Sequence, residues 1–263
     1  MNDLFDIACN FTHESFDDDL KQVIDDGMNI GVNKFLVVAA ELNDAHKIDK
    51  LITNHKDLLY FTTGVHPHHA KGFNDQSTER MRNLIKKYSP NALGEMGLDF
   101  FRNLSSHEEQ IFAFEEQIKL AIEFNKPLFL HQRDSHEPFI KLLNNYKTDI
   151  DKAVVHCFTG TQLELDEYLK CDFYIGLTGW ICDERRNKDL RSSIKNIPLN
   201  RLMLETDSPF LIPRNLNPKP KSNRNEPKNL MHIAIEIAQL RNESVEEICN
   251  ATYRNSLDFF SQA

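Results

Sequence analysis

Cysteine is scarce and scattered. Cys9, Cys157, Cys171, Cys182 and Cys249 are odd in number and form no CxxC pair. That speaks against a zinc ribbon and for a reducing cytosol. Long apolar runs are also missing, and none approaches the roughly 20 residues a membrane helix needs. The opening MNDLFDIACN has acidic residues where a secretion signal has Lys or Arg. The expectation is a cytoplasmic protein with no membrane association. Neither GxGxxG nor GxxxxGK[ST] occurs, so the usual nucleotide cradles lack their signature. No linker, internal repeat or low-complexity tract stands out. Basic residues are in the minority, 31 Lys and Arg against 40 Asp and Glu, for a net charge of −9. Such a chain should not coat itself with nucleic acid non-specifically. A nucleic acid held at one site by a metal and a few local cations stays open.

What is present is strand–helix alternation. The 263 residues are 40% hydrophobic, enough for a sizeable core. Short apolar runs fall at 4–9, 34–40, 59–66, 92–99, 127–131, 153–158, 173–180 and 201–207. They are rich in Val, Ile, Leu and Phe and do not alternate with polar residues, as expected of parallel strands covered on both faces. Between them lie amphipathic stretches. In one, 107–124, Ile111, Phe114, Ile118 and Ala121 fall three or four apart, and Ser106 with Glu109 can form a capping box. Eight such units over the whole of 1–263 predict one domain, a (β/α)8 TIM barrel. The stretch 211–228 is too rich in Pro and Asn for helix or strand. Two helices, 228–241 and 244–260, should close the chain.

The strand ends carry the chemistry. The third ends in Gly64-Val65-His66-Pro67-His68, and the fourth runs through Glu95 to Asp99. The fifth ends in His131-Gln132-Arg133, the sixth in His156-Cys157-Phe158 and the eighth in Glu205-Thr206-Asp207. In a barrel these positions share the C-terminal rim, where active sites are built. Glu95, His131, His156 and Asp207 then converge as two imidazoles and two carboxylates, a set suited to divalent cations. Each has a plainer reading. A lone histidine can be a packing residue, Glu95 can sit in an internal ion pair, and Asp207 can cap a turn. His66 and His68 can belong to a solvated loop. Cys157 should point away from His156 and pack under a helix, if strand alternation continues through it. Arg185 and Arg186 can bind phosphate or sit in solvent. The segment 211–228 holds Arg214, Lys219, Lys221, Arg224 and Lys228 against one acid, Glu226. It is either a phosphate-binding arm or a solvated loop.

GVHPH, GEMGLDF, HQRD, HCFTGT, IGLTGWICDERR, LETDSPFLIPR and RNEP occur in that order. Together they resemble the TatD-type deoxyribonucleases across essentially the whole chain. The resemblance implies a TIM-barrel, metal-dependent hydrolase of the amidohydrolase-like group. It implies a Mg2+-dependent 3′-5′ exodeoxyribonuclease, with Mn2+ as a substitute ion, acting on DNA and also on RNA. A role in DNA repair or DNA degradation is implied as well, and a monomer is expected. By position, Glu95, His131, His156 and Asp207 match the metal-site residues. His66 and His68 match the pocket-lining GxHPH element, and Arg133 matches the Arg of the HxR element.

One departure concerns the first strand, where many relatives in the wider group carry His-x-His. Here Ala8 and Asn10 stand in those places. His13 is near but out of register. One or two ions are therefore expected, a second being completed by substrate and water. In this reading Glu95 and Asp207 are the catalytic carboxylates, with Asp207 able to take a proton from water. Arg133, Arg214 and Arg224 would hold the phosphate backbone, and His66 and His68 would touch phosphate or a terminal nucleotide. A narrow rim pocket admits a strand end more readily than the middle of a duplex. A metal-dependent amidohydrolase or phosphoesterase acting on a small molecule is the alternative, disfavoured by the missing His-x-His. A non-enzymatic scaffold is disfavoured by polar groups on so many strand ends.

Overall fold

The computed structural model describes residues 3–185 and 187–261. Its strands are β1 (Leu4–Cys9), β2 (Val32–Val37), β3 (Leu59–Thr63), β4 (Ala92–Asp99), β5 (Leu128–Arg133), β6 (Ala153–Val155), β7 (Tyr174–Leu177) and β8 (Leu202–Leu204). All pair in parallel in the order β1 to β8. A bridge between Cys9 and Ser208 brings β1 to β8, and the Asn10 amide donates to the Ser208 carbonyl at 2.8 Å. The result is the nearly closed (β/α)8 barrel that the apolar runs predict.

Between the strands lie α1 (Leu20–Asn29), α2 (Asp44–Asn54), α3 (Asp75–Tyr88), α4 (His107–Glu123), α5 (His136–Asn145), α6 (Gln162–Lys170) and α7 (Lys188–Ser193). After β8 come α8 (Leu230–Arg241) and α9 (Val245–Phe260). Ser106 and Glu109 form the expected capping box at the start of α4, and Thr161–Glu164 and Ser244–Glu247 repeat it on α6 and α9. No helix among the described residues is long and apolar enough to cross a membrane.

The interior explains why the chemistry sits at one end. Phe5, Ala92, Phe129, Val154 and Met203, from the first two positions of their strands, belong to one buried cluster with Phe259 and Phe260 of α9. Bulky apolar side chains thus fill the N-terminal end of the barrel, and α9 seals it. The C-terminal end is left to polar groups.

Several strands stop short of their apolar runs. β2 ends at Val37 rather than at 40, β3 at Thr63 rather than at 66, β6 at Val155 rather than at 158, and β8 at Leu204 rather than at 207. Beyond these points backbone N–H groups turn to side chains. The Ala39 amide donates to Thr62 Oγ1 at 2.9 Å, the Cys157 amide to a Glu205 carboxylate oxygen, and the Thr206 amide to Asp6 Oδ1 at 2.8 Å. Ladder hydrogen bonds give way to bonds that shape the rim.

Candidate metal centre

Glu95 lies within β4, with a glycine on either side. Gly97 has φ +149°, and a Cβ there would come within 1.9 Å of the His131 carbonyl oxygen. Only glycine lets β4 lie this close to β5. The close approach brings the Glu95 carboxylate against the rings of neighbouring strands. Glu95 Oε1 lies 2.8 Å from His131 Nδ1, 2.7 Å from His156 Nε2 and 3.2 Å from His66 Nε2. Three imidazole nitrogens from three strand ends therefore converge on one carboxylate oxygen. Among the described residues, His66, Glu95 and His131 can bring one ligand atom each within 4.8 Å of one another.

Two further carboxylates back this centre. Asp99 Oδ2 is 2.6 Å from His68 Nε2 and 3.4 Å from His131 Nε2. Glu205 Oε2 is 3.4 Å from His156 Nδ1. Neither 3.4 Å pair is aligned as a hydrogen bond. His131 Nε2, His156 Nδ1 and Glu205 Oε2 are buried polar atoms without a hydrogen-bond partner. Such atoms are expensive in a folded interior unless something meets them. Orphaned imidazole nitrogens beside carboxylates fit a divalent cation taken by nitrogen and oxygen ligands.

The electrostatics follow from burial and these pairings. Burial opposes ionisation of Glu95, but the imidazoles of His156, His66 and His131 outweigh it and hold its carboxyl well below the usual range. Burial likewise opposes charge on His156, and Glu95 and Glu205 override it, so that its pKa lies well above the ordinary value. For His66 burial wins over Glu95 and pushes the ring down to about 4. The His68 amide donates to His66 Nδ1 at 3.1 Å. The neutral ring then carries its proton on Nε2, facing Glu95. To act as a ligand through Nε2, His66 would have to give up that bond.

Asp207 stands at the cleft wall with φ +54°. Asn10 Nδ2 donates to its Oδ1 at 3.0 Å and to the Ser208 carbonyl at 3.1 Å. Asn10 therefore orients a carboxylate and ties β1 to the chain after β8. Burial, offset by His156 and reinforced by Glu95 and Glu205, pushes the Asp207 carboxyl up to about 7.

Around the centre opens a cleft of about 1680 Å³. Its lining includes His66, His68, Glu95, His131, Arg133, His156, Asp207, Arg214 and Lys219. The expected rim residues thus share one cavity, with Arg224 as the exception. Arg224 is not among the lining residues. Its guanidinium is paired with Asp19 and Glu226 at 2.7 and 2.8 Å and lies over the Phe16 ring at 5.2 Å. It fastens its loop to the start of α1 and is not presented to the cleft. Arg185 lines the cleft but is bonded to Asp183 at 2.8 Å. Arg186 lies outside the described residues. His13 lines the cleft and stands apart from the centre, its Nδ1 on Ser15 Oγ at 2.9 Å.

Cys157 corrects an expectation. The strand ends at Val155, and Cys157 has φ +48°, so alternation does not continue through it. It lines the cleft, with Sγ 3.7 Å from Thr178 Oγ1. Burial pushes its thiol up to about 12, so it stays protonated at neutral pH and is a poor nucleophile.

Asp99 and Glu205 are the site residues that the rim argument passes over. Asp99 shares β4 with Glu95 at a spacing of four, whereas Glu205 and Asp207 lie beyond the end of β8, where no strand period relates them.

A parallel eight-stranded barrel with imidazoles and carboxylates converging at its C-terminal rim defines the class of TIM-barrel hydrolases built around a metal centre. Within that class, the family described as TatD related DNase matches residues 5–261, and the chain belongs to it. A protein of Pantoea ananatis named 3′-5′ ssDNA/RNA exonuclease TatD is 42% identical over 257 residues, 98% of this chain and 99% of that protein. Its namesake in Yersinia pseudotuberculosis is 43% identical over 257 residues, with the same coverage. Among solved structures, a TatD family hydrolase from Entamoeba histolytica superposes with a TM-score of 0.91 at 26% identity, covering 100% of this chain and 99% of that one. A TatD homologue from Escherichia coli gives 0.89 at 27% identity, covering 99% and 98%.

Proposed function

We propose that this nuclease is a Mg2+-dependent exonuclease that removes nucleotides from the 3′ end of single-stranded DNA and also acts on RNA. The observation that carries the reading is the convergence of three imidazoles on Glu95 at the floor of a cleft whose walls hold Arg133, Arg214 and Lys219. The relatives named 3′-5′ ssDNA/RNA exonuclease support the substrate class.

Glu95, His131, His156 and Asp207 would hold the cation, with His66 beside them. A bound divalent ion supplies charge neutralisation at the phosphoryl oxygens and a more acidic attacking water. Asp207 would be suited to take the water's proton, because Asn10 fixes the orientation of its carboxylate at the cleft wall. Asp99 holds the His68 ring at the cleft, beside the path of the entering strand. Arg133, Arg214 and Lys219 bind the phosphates of the entering strand, and position it without reading its sequence. Among the described residues the strongly apolar end of the barrel is closed by α9, so a strand enters from the rim alone.

The test is a single-stranded oligonucleotide carrying a label at its 5′ end, incubated with Mg2+, with Mn2+ and with EDTA. The reading expects a ladder that shortens one nucleotide at a time in either metal and no cleavage in EDTA. Immediate release of the labelled terminal nucleotide would reverse the polarity, and cleavage in EDTA would overturn the role of the metal.

A further inference from the structure

The cleft wall holds a feature that the hydrolytic centre does not use. Phe101, in the loop after β4, is 57% exposed at the mouth of a polar cavity. The Arg133 guanidinium carbon lies 5.0 Å from the Phe101 ring centroid and 5.7 Å from that of Trp180. Arg102 lies 5.8 Å from the same phenyl ring. An open aromatic face therefore stands among cations, in a chain whose net charge is −9.

The ring is exposed but its backbone is not loose. Asp99 Oδ1 accepts from the amides of Phe101 and Arg102 at 3.0 and 2.8 Å, while Oδ2 of the same carboxylate faces His68 and His131. The Phe100 amide donates to the Arg133 carbonyl at 2.9 Å, and the Phe100 ring stacks on His107 at 3.6 Å. One carboxylate thus sets the distance between the phenyl ring and the metal centre. An exposed ring on a fixed backbone, flanked by guanidinium groups, suits a flat ligand that carries negative charge beside it. An unpaired nucleobase with its flanking phosphates has that form, and every base offers a π-face whatever its identity.

We infer that Phe101 and Arg133 form a stacking platform for one unpaired base of the entering strand, near its scissile end. The inference rests on the nuclease reading of the same cleft. It supplies a physical reason for preferring single strands, since a base stacked within a duplex has no free face for Phe101. Arg133 lies beside the Phe101 ring, with Nε 3.9 Å from Asp134 Oδ1, and its remaining guanidinium donors are placed to meet a phosphate.

The test pairs the variant Phe101→Ala with oligonucleotides that lack one base at successive positions from the 3′ end. The intact oligonucleotide is the reference, and KM is read for each enzyme on each substrate. The platform predicts that Phe101→Ala raises KM for the intact oligonucleotide about 5- to 150-fold, the equivalent of about 1–3 kcal/mol. It predicts one abasic position at which the wild type is weakened to a similar degree and the variant loses nothing more. Phe101→Trp should restore the wild-type pattern. Circular dichroism checks that the folds match, which the exposure of the ring leads one to expect. Equal losses at every abasic position for both enzymes would overturn the platform. A wild type that fails to cleave the intact oligonucleotide would sink the nuclease reading itself, a result distinct from both.

Discussion

Asp6 shows how a single buried carboxyl can set the pH response of this barrel. It is fully buried in β1, where its oxygens accept from the Thr206 amide at 2.8 Å, from Thr206 Oγ1 at 2.5 Å and from the Ala8 amide at 3.3 Å. Burial dominates over these bonds and pushes its pKa up to about 7. The folded protein therefore holds a proton that the unfolded chain releases near 3.8. Asp6 contributes stability that is fully present below about pH 4 and is lost as pH rises through about 7. The size is on the order of 4 kcal/mol, from the shift at 1.36 kcal/mol per unit. Denaturant unfolding of the wild type and Asp6→Asn from pH 4 to 9 checks it. The wild type's advantage over the variant should shrink with rising pH, and a constant difference would contradict the buried, neutral carboxyl. Nearby, Asn10 shows what a departure from a ligand pattern can mean. The resemblance to the wider group would place an imidazole there; here the Asn10 amide secures Asp207 and the end of the barrel seam.

Among the elements, the segment from Leu211 to Glu226 divides into two functions. Arg214 and Lys219 line the cleft, whereas Arg224 is bound to Asp19, Glu226 and the Ser15 carbonyl. Arg224→Ala should lower stability by about 1 kcal/mol, because its pairs are partly exposed, and leave KM for oligonucleotides unchanged. Arg214→Gln with Lys219→Gln should do the reverse. KM should rise, and the log–log salt dependence of binding should flatten by about 0.7 for each lost phosphate contact on a single strand. Thermal melting and KM measured across a salt series separate the two outcomes. The same segment marks the limit of what is legible in the sequence. Its charge surplus and its lack of regular structure can be read directly. Which cation faces the cleft depends on Asp19, about 200 positions away, and no local pattern encodes that pairing. The eight strands and the capping box at Ser106 are legible because apolar runs and cap chemistry are local. The strand ends are not, because the Ala39, Cys157 and Thr206 amides leave the ladder for side chains on other strands. Glu95, His131, His156 and Asp207 are legible as rim residues. The supporting Asp99 and Glu205 come into view only when the barrel sets their carboxylates 3.4 Å from those rings.

At the scale of the whole molecule, the fold separates two tasks between the two ends of one barrel. The N-terminal end is filled by Phe5, Phe129 and Met203 and capped by Phe259 and Phe260 of α9, which supplies stability without polar groups. Among the described residues, the buried and unpartnered nitrogens of His131 and His156 lie at the C-terminal end in a cleft that cations line, with the unpartnered Glu205 Oε2 3.4 Å from His156. With a net charge of −9, the remaining surface repels a polyanion, so a strand should be held where the local cations and the metal centre are. In the proposed reaction Glu95 organises a divalent cation on which phosphodiester hydrolysis depends. The most direct test of this role is the rate of hydrolysis of a labelled single-stranded oligonucleotide against free Mn2+, after stripping with EDTA, for the wild type and for Glu95→Gln matched in circular dichroism and melting temperature. The account predicts no rate without metal, saturable recovery of the wild type, and a variant more than about a hundredfold slower at every metal concentration. A stripped wild type that still turns over, or a Glu95→Gln variant that recovers like the wild type, would contradict it.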